Sequence, residues 1–149
     1  MKRYLSILLL IIVACEIFGA PRSPEWGRVR REHLVANPTC AMCGSGSDIE
    51  VHHIKPFHLF PELELDPGNL VTLCESKNYG FNDHLVVGHG GNYRFYNPWV
   101  MDDIKEIRRI RDKYRTFSQA EEEIQEYILF IKATVRCYNC KEFGKGCDR

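Results

Sequence analysis

Residues 50–89 hold most of the side chains in this sequence that can bind a transition metal. Five of the six histidines lie in this segment together with Cys74, and two further cysteines stand just upstream in Cys40-Ala-Met-Cys43. Imidazole and thiolate groups bind transition metals well, so this density indicates a metal site. A fold that uses this site must bring both ends of the segment together. The five histidines are His52, His53, His58, His84 and His89.

The size and charge of the chain limit how it can act. With 149 residues it has room for one domain with a core of modest size. Hydrophobic residues make up 44% and charged residues 27%, as in a folded globular protein. The formal net charge is +0, so no global basic field attracts nucleic acid. Any such binding must rely on local basic patches and on a bound cation.

Residues 1–20 are predicted to be an export signal of the lipoprotein type. Two basic residues precede an apolar run over residues 5–14 that is too short to span a bilayer comfortably. The sequence Ile12-Val13-Ala14-Cys15 resembles a bacterial lipobox, in which Cys15 would carry the lipid. We therefore expect an exported protein that is periplasmic or attached to the membrane through its N-terminus. The alternatives are a short uncleaved anchor and a cytoplasmic protein with an upstream start codon.

The rest of the sequence predicts helices and two short strands. Residues 25–36 have the spacing of an amphipathic helix, residues 49–54 and 69–73 that of strands, and residues 83–87 that of one or two helical turns. The last third predicts two helices that pack against the core, the second opened by a capping box at Ser118–Glu121. Their apolar stripes are Ile104, Ile107, Ile110 and Tyr114, then Ile124, Ile128, Ile131 and Val135. Basic residues on the first of these helices would form a solvated face or contact a phosphate backbone.

The adjacent pair His52-His53 at the end of the first strand could meet the requirements of phosphodiester hydrolysis. Neighbouring residues of a strand point to opposite faces, so both rings can serve one site only where the backbone turns out of the strand. One ring would then coordinate metal while the other faces the attacking water. Hydrolysis requires a base that titrates near neutral pH and a divalent cation that holds the phosphate and the leaving oxygen.

The combination of His52-His53, Asn69 and His84 resembles the HNH endonuclease family. The resemblance implies an α+β fold: a ββα-metal core with a short β-hairpin, zinc-knuckle-like cysteines and flanking C-terminal helices. It implies a nuclease domain over residues 21–100 and a helical extension with a cysteine-rich tail over residues 101–149. The sequences that resemble small bacterial and phage members are Glu50–His58, Phe60-Pro-Glu-Leu, Asn69–Cys74, Gly88-His89 and Tyr96-Asn-Pro.

The resemblance also implies a role for each site residue. His53 resembles the general base that activates water, and Asn69 resembles the residue that orients the loop of the base. His52 and His84 resemble metal ligands, and His89 is the candidate for a third ligand or a phosphate contact. The implied cofactor is one catalytic divalent ion, which could be magnesium, manganese, nickel or zinc.

Cys40, Cys43 and Cys74 predict a structural zinc site with an unusual fourth ligand. Many members of the family bind zinc through two Cys-x-x-Cys pairs, but here Lys77 stands where the partner of Cys74 is expected. Asp83 stands where members with a longer loop carry a cysteine, and a carboxylate can bind zinc. The expected ligands are therefore the three cysteines and Asp83. The alternatives are free thiols, a thiolate from the tail, or disulfides among Cys137, Cys140 and Cys147.

The leading hypothesis is a metal-dependent endonuclease that hydrolyses phosphodiester bonds in DNA, its expected partner, without a small-molecule cofactor. The runner-up is a non-catalytic, zinc-stabilised module that binds nucleic acid or a protein. A third hypothesis is a surface lipoprotein whose histidines scavenge metal. Replacement of His53 separates these hypotheses, because only the nuclease depends on a general base.

Overall fold

The described part of the chain leaves out some of the predicted features. The computed structural model describes residues 20–77, 80–114 and 116–144. Residues 1–19 of the predicted export signal, including Cys15, lie outside this part, and so does Cys147 of the tail. Among the described residues, no helix is both long enough and apolar enough to cross a membrane.

A two-stranded antiparallel hairpin carries the adjacent histidines. β1 spans Ile49–His53, β2 spans Leu70–Cys74, and the register pairs His52 with Val71. β2 is buried along its whole length, which suits a strand made largely of leucine and β-branched side chains. β1 ends at His53, so the histidine pair lies where the backbone leaves the sheet.

A loop with two 3-10 turns joins the strands, and a short π-helical segment follows them. The turns span Pro61–Leu63 and Pro67–Asn69, and Asp66 Oδ1 caps the second by accepting a hydrogen bond from Gly68 N–H at 2.9 Å. The π-helical segment spans His84–Gly88 and packs against both strands. The hairpin and this segment together give a ββα arrangement.

Three α-helices complete the fold of the described residues. α1 spans Trp26–Ala36 and packs on β1, α2 spans Val100–Lys113, and α3 spans Phe117–Phe143. α2 and α3 pack against each other and against the π-helical segment. The predicted stripes are confirmed, because their isoleucines and Val135 are each at most 3% exposed, while Tyr114 is partly buried. These side chains share one core with β2, so the helices support the hairpin directly.

The start of α3 differs from the predicted capping box. The helix begins at Phe117, and its N-cap is Thr116 rather than Ser118. The backbone N–H of Thr116 donates a hydrogen bond to the side chain of Gln119 at 3.3 Å. The sequence offers two overlapping boxes with the same spacing. The earlier box forms because it lengthens the helix by two residues, and each added residue contributes a backbone hydrogen bond.

Basic residues of α2 form ion pairs with acidic neighbours on the same helix. Lys105 Nζ lies 3.0 Å from Asp102 Oδ1, and Arg109 Nη2 lies 2.7 Å from Glu106 Oε1. This arrangement is typical of a solvated face on which the charges are balanced. The charges of Lys105 and Arg109 are therefore compensated, which favours the solvated face for these two residues.

The fold class expected from the resemblance is confirmed. The protein combines helices with a small antiparallel hairpin, and Cys40, Cys43 and Cys74 lie where they could bind a metal, consistent with a ββα-metal fold. In the tail, Cys140 is disulfide-bonded and Cys137 is an exposed free thiol. The division of the chain at residue 100 stays a prediction.

Candidate active site

Three histidines from two elements converge on one point. His52 comes from β1, whereas His84 and His89 come from the π-helical segment and the residue that follows it. Their ring centroids lie 4.8–5.2 Å apart, and their ligand nitrogens all lie within 4.8 Å of one another. Metal–nitrogen bonds are about 2.0–2.1 Å long, so these three nitrogens could hold one ion between them.

The π-helical turn brings His84 and His89 to the same face. In an α-helix, residues five positions apart are rotated by about 140° from each other. A π-helix closes its hydrogen bonds from residue i to residue i+5, so the fifth residue returns to the same side. Gly88 provides the room, because a Cβ there would lie 3.0 Å from His52 Cε1 and 3.3 Å from His84 Cδ2. The three rings therefore depend on both the turn and the missing side chain.

Hydrogen bonds fix the rings of His84 and His89. The Nδ1–H of His84 donates to Glu75 Oε1 at 3.1 Å, and the Nδ1–H of His89 donates to Phe95 O at 2.9 Å. Both Nε2 lone pairs are thereby left for a metal ion. Burial lowers the pKa of His89 to about 4 and lowers the pKa of His52 well below its usual range. Neutral imidazoles with converging lone pairs fit a divalent cation.

The C-terminal helix α3 helps to hold the partner of His89. Asn139 of this helix is 1% exposed, and its side chain accepts a hydrogen bond from Tyr96 N–H at 2.9 Å and donates one to Tyr96 O at 2.7 Å. These bonds fix the backbone next to Phe95, whose carbonyl orients His89. The position of the third histidine therefore depends on a residue far along the chain.

His53 lies beside the three-histidine cluster with its Nδ1 available as a base. Its Nε2–H donates to Glu64 O at 3.0 Å, which leaves the lone pair on Nδ1. The Trp26 ring packs against it, with centroids 4.5 Å apart and planes inclined by 30°. Burial lowers the pKa of His53, so the neutral form dominates near pH 7. A neutral imidazole fixed at one nitrogen can accept a proton from water at the other.

Asn69 holds the loop that orients His53. Its Oδ1 accepts a hydrogen bond from Lys55 N–H at 2.8 Å, and its Nδ2 donates to Lys55 O at 3.0 Å and to Leu63 O at 3.1 Å. These bonds tie Lys55 at the start of the loop and Leu63 in its middle to the residue that precedes β2. Leu63 directly precedes Glu64, whose carbonyl accepts the hydrogen bond from His53. Asn69 is thus placed to position this ring without contacting it.

The four residues expected to bind structural zinc lie together. Asp83 Oδ2 lies 3.3 Å from Cys40 Sγ and 3.2 Å from Cys74 Sγ. Cys43 Sγ lies 3.4 Å from Cys74 Sγ. Two sulfurs bound to one tetrahedral zinc are about 3.8 Å apart, because each Zn–S bond is about 2.3 Å long. The cluster is therefore close to the size of a zinc site.

The buried carboxylate of Asp83 favours a cation in the cysteine cluster. Asp83 is 0% exposed, and its Oδ1 has no hydrogen-bond partner among the described residues. Burial raises the pKa of this carboxyl to about 7 and the pKa of the Cys74 thiol to about 12. Buried anionic groups are costly without a compensating charge. A zinc ion would neutralise them and satisfy the orphaned oxygen.

A cleft of about 360 Å³ gives access to the histidines. His58 lines it, as do Arg22 and Tyr93. The hydroxyl of Tyr93 donates to Glu75 Oε1 at 3.1 Å, so Glu75 contacts both Tyr93 and His84. Sequence reasoning missed Arg22 and Glu75, because single charged residues outside a spaced motif carry no local signal.

Comparison with known proteins supports the resemblance over part of the chain. Residues 40–78 match the family model for HNH endonuclease, whereas no curated protein and no solved structure is significantly similar to the chain. The match contains the three cysteines of the cluster, the adjacent histidines and Asn69, and it ends before Asp83, His84 and His89. The resemblance seen in the sequence is thus confirmed, and the family that residues 40–78 match is that of the HNH endonucleases.

Proposed function

We propose that the protein is a metal-dependent endonuclease that hydrolyses phosphodiester bonds in DNA. The family match indicates a nuclease or a related metal-dependent function on nucleic acid. The finer proposal rests on one observation. His53 presents a free Nδ1 in the same cleft as three histidines whose nitrogens could hold one cation.

His53 would act as the general base in this reaction. Its Nδ1 takes a proton from water, the water oxygen attacks phosphorus, and the P–O bond to the leaving oxygen breaks while that oxygen takes a proton from solvent. The hydrogen bond from Nε2–H to Glu64 O strengthens once the ring carries a charge, so the loop stabilises the protonated base. Asn69 would keep that loop in place.

His52, His84 and His89 would hold the catalytic ion. A bound divalent ion supplies positive charge that stabilises the phosphate and the leaving oxygen. Three protein ligands leave further coordination positions to substrate and water, as in other catalytic metal sites. The separate cluster of Cys40, Cys43, Cys74 and Asp83 would hold a structural zinc ion.

Nicking of supercoiled plasmid by the full chain tests this proposal. We expect no nicking without an added divalent ion and nicking with magnesium, manganese or nickel. His84→Ala should lose more than about 100-fold in rate, because loss of a ligand exceeds the 10- to 100-fold effect of an outer partner. His33→Ala is the matched control, since His33 lies on α1 and does not line the cleft.

Two results would contradict the proposal. A folded protein that nicks no plasmid with any of these ions would favour the zinc-stabilised binding module. Equal nicking rates for His84→Ala and His33→Ala would contradict the role of His84 as a ligand of the catalytic ion.

Glu75→Gln is expected to weaken binding of the catalytic ion by about 10-fold. The carboxylate accepts the Nδ1–H of His84 at 3.1 Å, and a neutral amide is a weaker acceptor. The Glu75 side chain is 44% exposed, so its replacement should leave the fold intact. Calorimetric titration of the zinc-replete protein with manganese gives the affinity. Glu32→Gln on α1 is the control, and equal affinities for both variants would contradict this role of Glu75.

A further inference from the structure

We infer that Arg22 binds a phosphate of the DNA substrate at the mouth of the cleft, an inference that rests on the proposed nuclease function. Arg22 precedes α1 and lies outside both the residues that match the family model and the motifs of the sequence. Its side chain lines the same cleft as His53 and His84. Among the described residues that line this cleft, Arg22 is the one permanent cation.

Two aromatic rings fix the position of the Arg22 guanidinium. Its central carbon lies 4.8 Å from the ring centroid of Trp26 and 5.1 Å from that of Phe57. Stacking of this kind orients the plane of the guanidinium without using its N–H donors. Trp26 also packs on His53, so the guanidinium and the base contact the same indole ring. The cation is therefore held close to the point where water would be activated.

The N–H donors of Arg22 are largely unused. Glu64 Oε1, on a buried side chain, lies 3.5 Å from Nη1 and forms an ion pair with it, but no hydrogen bond from the guanidinium forms within the described part of the chain. Half of the Arg22 side chain, 49%, is exposed. A guanidinium with free donors in a planar fork matches two phosphate oxygens.

The balance of charge around the cleft makes this cation important for DNA binding. The chain has a formal net charge of +0. Lys105 and Arg109 of α2 hydrogen-bond to acidic neighbours at 3.0 and 2.7 Å, whereas Arg22 lies at a longer 3.5 Å from Glu64. Among the residues that line the cleft, Arg22 would therefore supply the main attraction for the phosphate backbone, apart from a bound metal ion.

DNA binding measured without cleavage is the first test. The background is the full-length His53→Ala protein, and the readout is fluorescence anisotropy of a labelled DNA duplex with magnesium over a range of salt. Arg22→Gln should weaken binding by about 10- to 100-fold, because a charge-assisted contact is lost. It should also reduce the slope of log affinity against log salt by about 1. The DNA affinity of Arg22→Lys should lie between those of the background protein and Arg22→Gln, since lysine keeps the charge but lacks the planar pair of N–H donors.

Arg28→Gln is the matched control for the loss of one arginine. Arg28 lies on α1, pairs with Glu25 and Glu32, and does not line the cleft. We expect this variant to bind DNA within about twofold of the background protein, as for an exposed ion pair of little energetic weight. Thermal unfolding of each variant verifies that the fold is retained, and Arg22→Lys replaces Arg22→Gln if the latter unfolds.

A duplex with one neutral methylphosphonate tests whether a single phosphate makes the contact. At one position this substitution should weaken binding of the background protein by about 10-fold and leave binding of Arg22→Gln unchanged. Equal affinities for Arg22→Gln and Arg28→Gln would overturn the inference, and plasmid nicking by the native chain would then still support the proposed nuclease. Failure of the background protein to bind any duplex would overturn both.

Discussion

His53→Ala is expected to reduce the rate of plasmid nicking by about 10²- to 10⁴-fold, the usual contribution of a general base. The affinity for the catalytic ion should change little. His53 is not one of the three histidines whose nitrogens converge, and its ring packs against Trp26 instead. Measurement of nicking rates and of manganese affinity on the same protein separates the two effects.

Chemical rescue distinguishes a base from a structural residue. Removal of the His53 ring leaves space next to Trp26, and added imidazole can occupy such a space and accept the proton. We expect imidazole to restore part of the rate of His53→Ala and to leave His33→Ala unchanged. Full activity of His53→Ala without imidazole would exclude His53 as the base.

Cys74→Ser is expected to abolish the cooperative thermal unfolding transition. Cys74 is 0% exposed at the end of β2 and contacts both Cys43 and Asp83. Structural zinc contributes about 10–16 kcal/mol in small zinc domains, whereas a native domain is stable by about 5–15 kcal/mol. Loss of this ion would therefore remove most of the stability. Circular dichroism on heating and the zinc content of the purified protein measure the effect.

Two further variants show whether the effect of Cys74→Ser comes from zinc. Cys137 is an exposed free thiol, so Cys137→Ser should keep the unfolding transition and the bound zinc. Asp83→Cys should also keep both, because four thiolates form a common zinc site. A Cys74→Ser protein that unfolds like Cys137→Ser would show that the cluster holds no stabilising ion.

Local pattern accounts for the parts of the fold that were predicted correctly. The stripe Ile124, Ile128 and Ile131 has the period of a helix, and each of these side chains is at most 2% exposed. The strand that ends at His53 and the strand that ends at Cys74 are likewise short runs bounded by turn residues. These features are encoded by neighbours in the sequence, so they can be recognised without knowing the tertiary structure.

The parts that sequence reasoning missed depend on contacts between distant residues. Asn139 acts on the backbone of Tyr96, and Glu64 supplies its carbonyl to His53 through a loop whose path is set by Asn69. The stacking of Arg22 on Phe57 is likewise a contact between residues that are distant in the sequence. No periodicity or motif marks such residues, because the tertiary structure and not the local sequence brings their partners together. The proposed ligands and base could be named from a family resemblance, whereas their supporting partners required coordinates.

The π-helical segment His84–Gly88 affects how many residues can separate the two histidines at its ends. Two ligands on one face of an α-helix are usually four residues apart. His84 and His89 are five apart, which corresponds to an α-helical turn with one inserted residue. We expect that loss of one residue between them, with Gly88 kept, would restore the four-residue spacing and keep both rings on one face. Loss of a residue from the start of a regular α-helix would instead rotate everything before it by about 100°. We therefore expect the metal site to tolerate a change of one residue in the spacing between these histidines.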